Sequence, residues 1–257
     1  MFKTLRIALL LFVLFNVAAA AWLTRARAAA WNVPLRVAVF PVAADTSAVT
    51  ASYIRRLDRE RLAPIEDFFR EEAARHGLSL STPVEVHVGR EPRVAPPAPP
   101  HGARGLPVIL WSLKMRWYAW RHGVEDGPAS HVRLFVLFHD PQLRASAGHS
   151  LGLQKGMIGV VNAFAGNAHT AQNAVIIAHE LLHTVGATDK YDPATNLPVW
   201  PDGYAEPQRE PLLPQSFAEI MAGRVPVSRE QAEIPASLAE ALVGPATAAE
   251  IGWVPVR

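Results

Sequence analysis

The chain has 257 residues, half of them hydrophobic, enough to build a sizeable core in one or two domains. Its formal net charge is only +2, and with no lysine-rich stripe or stacking motif it does not read as a nucleic-acid partner. The absence of cysteine excludes disulfides and thiolate metal sites, so a metal here must use histidine and carboxylate.

Lys3 and Arg6 precede an apolar run over residues 7–23 whose one strongly polar member is Asn16. At about 17 residues the run sits at the lower end of what spans a bilayer. Residues 18–21 are all alanine, the small-residue stretch a signal peptidase can cut. Two readings stand for residues 1–24. An uncleaved anchor would hold the remainder at a membrane, facing the periplasm or exterior. A cleaved signal would release it as a secreted protein. Trp22 and Trp31 suit a membrane interface, with Arg25 and Arg27 in the aqueous phase.

Residues 34–42 (PLRVAVFPV) alternate and are rich in β-branched side chains, which predicts a strand. Residues 46–76 carry Ile54, Leu57, Leu62, Ile65, Phe68 and Phe69 at helical spacing, predicting an amphipathic helix bent near Pro64 and stopped by Gly77. Residues 83–88 (PVEVHV) form a second strand. Residues 91–107 are crowded with proline and read as a surface loop. Residues 108–121 (VILWSLKMRWYAWR) are read as a helix rather than a strand, with the tryptophans assigned to core packing beside a solvated edge.

Two further strands are expected at residues 131–139 (HVRLFVLFH) and 156–164 (GMIGVVNAF). A helix over 170–185 follows, with Thr170 as N-cap and Gly186 just past its end. Residues 187–216 form a long structured loop, a length that signals function. Residues 228–251 read as helical again, interrupted near Pro235 and Pro245. This order describes an α+β fold with its mixed sheet in the N-terminal half.

The chemistry sits in AVIIAHELLHTVGATDKYD. His179 and His183 are four apart on the helix, so both imidazoles leave one face and can reach one metal. Glu180, next to the first ligand, is placed to take a proton from water at the metal without being a ligand. Val175, Ile176, Ile177, Leu181 and Leu182 make the rest of the helix apolar. Burying unpaired charge there would cost several kcal/mol, so a metal accounts for the three polar residues. Gly186 can adopt positive φ and turn the chain back, which lets Asp189 approach as third ligand. Three protein ligands leave a fourth position open, as at catalytic rather than structural zinc.

His179-Glu180-x-x-His183-x-x-Gly186-x-x-Asp189 resembles the metzincin clan of zinc endopeptidases, in the snapalysin-like variant with aspartate as third ligand. The resemblance implies a zinc-dependent peptidase acting on a peptide or protein substrate, with Glu180 as general base. It also implies a methionine in a tight turn beneath the metal, which Met221 in AEIMAG matches. An antiparallel edge strand just before the active-site helix would receive substrate as an added strand, a place that residues 156–164 fit. The implied fold is a zincin/metzincin-like domain over residues 32–257. Its upper part covers about 34–186, and its lower part, about 187–257, ends in a smaller C-terminal helical subdomain. The resemblance covers about residues 156–225.

Tyr191 and Tyr204 are candidate donors to a developing oxyanion. Asp192 and Glu206 are alternatives to Asp189, and neither Asp192 nor Asp202 has calcium-ligand spacing. His149 and His169 read as solvated loop residues. A metallohydrolase of a non-protein amide, such as a cell-wall amide, would use the same ligands. A catalytically silent binding module of the same fold would have no need of Glu180.

Overall fold

The computed structural model describes residues 30–98, 100, 105–125, 129–144, 150–153 and 157–255, with Arg6 and Phe12. Apart from Phe12, the apolar run at 7–23 lies outside these residues, as do His149 and part of the proline-rich stretch. Among the described residues no helix is long and apolar enough to cross a membrane.

Strands β1 (Leu35–Ala43), β2 (Val84–Val88), β3 (Val132–His139), β4 (Leu151–Leu153) and β5 (Ile158–Phe164) form one sheet in the order β2-β1-β3-β5-β4. β2, β1, β3 and β5 run parallel, and β4 is antiparallel to β5 at the sheet's end. A parallel strand covered on both faces must be apolar nearly throughout, which explains the runs in β1 and β3. Pro41 is tolerated within β1 because pairing to β2 stops at Val39.

Helices α1 (Ala48–Arg55), α2 (Arg59–Arg75) and α4 (Thr170–Val185) pack on one face of the sheet. Helix α3 (Leu106–His122) covers the other, with Trp111, Met115, Tyr118 and Ala119 against Ala38, Phe40, Phe135 and Val160. On the α4 side the core includes Val37, Val39, Leu134, Val136, Ile177, Leu181 and Leu182. Each such side chain, fully buried, contributes about 1.5–3 kcal/mol.

Several expectations are corrected. The helix foreseen over 46–76 is two helices, and the break lies at residues 56–58 rather than at Pro64. Asp58 caps α2 by accepting from Arg61 N at 3.0 Å, and Pro64 sits within α2. Thr170 is the first residue of α4 rather than its cap; a 3₁₀ turn, Asn167–His169, leads into the helix. Trp31, assigned to a membrane interface, is buried: its Nε1–H donates to Ile251 O at 2.7 Å and its ring meets Trp253 edge-on. The strand before α4, β5, is interior and parallel, so the antiparallel edge position belongs to β4.

The lower part is not a helical subdomain. It contains β6 (Ala218–Glu219) paired with β9 (Ala241–Leu242), β7 (Val225–Pro226) paired with β8 (Ala232–Glu233), a 3₁₀ turn (Leu238–Glu240) and one short helix, α5 (Pro245–Glu250). Tertiary hydrogen bonds override helix propensity there. Glu72 of α2 accepts from Val243 N at 2.6 Å, Arg75 donates to Val243 O at 2.6 Å, and Glu219 accepts from Gly244 N at 3.1 Å.

Candidate metal centre

α4 is apolar along its buried faces, which fixes its rotation against the sheet and sends His179 and His183 out on its remaining side. The helix ends at Gly186, whose φ of 125° is a conformation that side-chain-bearing residues rarely adopt. Gly186 N donates back to Leu182 O and His183 O, and the reversed chain returns Asp189 toward both rings.

Three atoms then meet. His183 Nε2 lies 3.1 Å from His179 Nε2 and 3.1 Å from Asp189 Oδ1, and His179 Nε2 lies 3.3 Å from the same oxygen. A tetrahedral zinc with ligands at about 2.0–2.1 Å sets its ligand atoms about 3.3–3.4 Å apart. The triangle is thus within a few tenths of an ångström of the spacing such an ion requires.

The outer nitrogens decide which way the lone pairs point. His179 Nδ1–H donates to Ile220 O at 2.8 Å, and His183 Nδ1–H donates to Ala187 O at 2.9 Å. With those protons placed, each neutral ring presents a bare Nε2 to the triangle. Two bare nitrogens at 3.1 Å repel each other unless a cation lies between them. The donor set therefore fits a divalent metal. Asp189, 43% exposed, opens the triangle to solvent, while the two rings are 14% and 18% exposed.

Glu180 is buried, and it offers a carboxylate oxygen within 4.8 Å of the ligand nitrogens of His179 and His183. His179, Glu180 and His183 thus form a group that could itself hold a metal, and Asp189 Oδ1, at 3.3 and 3.1 Å from the two ring nitrogens, adds a second carboxylate to it. A proton on His179 Nε2 is the alternative to a metal cation there: burial alone would push the imidazolium down, but the hydrogen bond that this proton makes to Asp189 and the charge of Glu180 raise it overall. Burial would likewise raise the Asp189 carboxyl, yet the two imidazoles hold it well below the usual carboxylate range. The Tyr191 phenol is pushed up, first by burial and then by the charges of Asp189 and Glu180.

The loop that carries Asp189 is anchored on both sides. Glu250 of α5 accepts from Thr188 N at 2.8 Å and from Lys190 Nζ at 2.7 Å, and Lys190 N donates to Met221 O at 3.0 Å. Met221 is fully buried in a tight turn whose ends pair at Glu219 and Arg224, with Gly223 at φ 68°. The turn thus holds His179 through the Ile220 carbonyl and the Asp189 segment through the Met221 carbonyl. Glu219 fixes the turn from within: its buried carboxylate accepts from Met221 N, Ala222 N, Gly244 N and Thr247 Oγ1. Burial pushes this carboxyl up, and the four hydrogen bonds pull it only part of the way back.

Of the residues singled out in the sequence, His179, His183, Asp189, Glu180 and Tyr191 come together, and the Met221 turn supports them. Tyr204 pairs through its backbone with Ala218. The two alternative ligands are engaged elsewhere: Asp192 Oδ1 accepts from Ala194 N at 2.8 Å, and Glu206 holds Arg209 at 3.0 Å. Glu219, Glu250 and Lys190 were not foreseen. A lone glutamate in the apolar stretch AEIMAG was the available signal for Glu219, whereas the Lys190–Glu250 pair joins segments 60 residues apart and leaves no local trace. Compared with protein-family models and with curated proteins, the chain matches none.

Proposed function

We propose that this chain is a zinc-dependent peptidase of metzincin type, in the variant with aspartate as third ligand. One observation carries the reading: two imidazole nitrogens and one carboxylate oxygen form a solvent-open triangle with edges of 3.1–3.3 Å, beside the buried carboxylate of Glu180. The Gly186 turn, the Met221 turn beneath His179 and the antiparallel edge strand β4 support it.

His179, His183 and Asp189 would hold the metal. Zinc there supplies Lewis acidity and makes water nucleophilic near neutral pH. Glu180 accepts the proton of the attacking water and delivers it to the leaving amine. Tyr191, kept protonated by its surroundings, donates to the substrate carbonyl oxygen as negative charge develops. The Ile220 and Ala187 carbonyls hold the two rings in the tautomer that ligation needs. An extended substrate adds to the sheet beyond β4. With residues 1–24 as anchor or signal, this site faces the periplasm or exterior.

The test combines metal content with turnover of a peptide panel. Wild-type protein is expected to carry stoichiometric zinc and to cleave peptides. Glu180→Gln should retain the zinc and lose about 10²–10⁴-fold in turnover. Undiminished hydrolysis by that variant would contradict the assignment. A parallel panel of cell-wall fragments separates a peptide substrate from a non-protein amide.

A further inference from the structure

The outward face of α3 carries Leu106, Ile109, Leu110, Leu113, Trp117 and Trp120, each at least 50% exposed, with Trp120 at 74%. At about 100° per residue these six fall within an arc of roughly 100°, one continuous apolar row. A row of this size is far more than the scattered apolar residues normal on a soluble surface. The core reading given to these tryptophans holds for Trp111 alone. The inner face fixes the rotation of the helix: Trp111 Nε1–H donates to Pro97 O at 2.8 Å and Tyr118 Oη–H donates to Val94 O at 2.6 Å. The outer row therefore cannot turn inward.

Charge on this helix has one sign. Lys114 and Arg121 lie along one edge of the row and Arg116 along the other, and α3 contains no aspartate or glutamate. Apolar side chains with tryptophan along the centre and cations at the margins suit a helix lying in a bilayer interface, its cations among anionic headgroups.

The path of the chain agrees. α3 ends at Gly123, where an added Cβ would sit 3.3 Å from Arg133. Arg133 of β3 pairs with Ala38, close to the start of β1 at Leu35. The polypeptide that follows the apolar run at residues 7–23 thus enters the fold at the end of the sheet where α3 presents Trp117 and Trp120. Since α3 and α4 cover opposite faces, a surface engaged by α3 leaves the histidine triangle on the far side.

We propose that the Leu106–Trp120 face of α3 docks onto an anionic phospholipid surface, a membrane contact separate from residues 7–23. The proposal is independent of the metal centre. Because the chain has no cysteine, Leu113→Cys and Ile234→Cys each create a single labelling position in the full chain; Ile234 is exposed and serves as control. An environment-sensitive fluorophore is read at each position with the full chain in vesicles containing phosphatidylglycerol. At position 113 the emission should shift to shorter wavelength and be quenched by brominated lipid, while position 234 stays aqueous. Lys114→Gln and Arg121→Gln should each move the docked-to-undocked ratio against docking by about fivefold. An aqueous signal at position 113 on those vesicles would overturn the proposal. So would a blue shift that brominated lipid cannot quench, since another part of this chain or a second copy would then be covering the row.

Discussion

The carbonyl of Ile220 accepts the Nδ1 proton of His179 across 2.8 Å, joining residues 41 apart in sequence. One bond thereby sets the tautomer of the His179 ring and ties α4 to the lower part of the chain. The carbonyl is held in place by Glu219, whose carboxylate collects two hydrogen bonds from Met221 N and Ala222 N inside the same turn and two more from Gly244 N and Thr247 Oγ1.

Glu219 should therefore matter twice. Glu219→Ala leaves four buried donors without an acceptor and should destabilise the fold by about 3 kcal/mol or more, read from urea unfolding. Glu219→Gln keeps the shape of the side chain but turns an NH₂ toward donors. Zinc affinity in that variant should fall by about 10–100-fold, the usual effect of disturbing an outer partner of a metal ligand. Unchanged zinc affinity would show that the turn does not position His179.

Asp189→Ala removes a corner of the triangle itself. Its zinc affinity should fall by more than the roughly 10–100-fold expected for an outer partner. Competition with a chromophoric chelator measures this directly. Asp192→Ala, at an exposed residue whose carboxylate serves only a local turn, should bind zinc as the parent does.

Gly186→Ala places a Cβ at a φ of 125°. The strain should cost about 1–2 kcal/mol and lower the melting temperature. Because Ala187 O receives the His183 proton at 2.9 Å, zinc binding should weaken in the same variant.

Glu125 gives stability a defined pH dependence. It accepts from Ser130 N at 2.8 Å, Ser130 Oγ at 2.7 Å and Arg133 Nε at 3.0 Å. Burial alone would raise its carboxyl, but those hydrogen bonds and the guanidinium charge hold it below its usual 4.5. The unfolded chain then takes up a proton at higher pH than the folded one. The stabilisation is complete above pH 4.5 and is lost as the pH falls through the lower folded value. Glu125→Gln should thus be less stable than the parent at neutral pH, with the difference shrinking below pH 4.5. Urea midpoints measured across that range check the sign; a constant difference would place the effect in packing.

Much of this was legible in the sequence, for physical reasons that differ by site. His179, Glu180 and His183 were readable because one helical period fixes their relation, and Gly186 because a chain reversal needs a residue that tolerates positive φ. The strands β1, β3 and β5 were readable because burial on both faces demands long apolar runs. What failed depended on distant partners. β4 has only three residues and no run to detect, so the sequence alone points to β5 as the edge strand. Residues 228–251 are rich in helix-forming alanine, glutamate and leucine, yet Glu72, Arg75 and Glu219 hold residues 243–244 by hydrogen bonds in an extended path. Composition could not tell that Trp111 faces inward while Trp117 and Trp120 face out; that follows from which side of α3 meets Phe135.

Crystals grown with zinc, with anomalous scattering collected on both sides of the zinc absorption edge, locate the ion without reliance on activity. A single strong peak should lie about 2.0–2.2 Å from His179 Nε2, His183 Nε2 and Asp189 Oδ1 together. A peak bound to the histidines with Asp189 turned away, or no peak between the two rings, would contradict a centre built by these three residues.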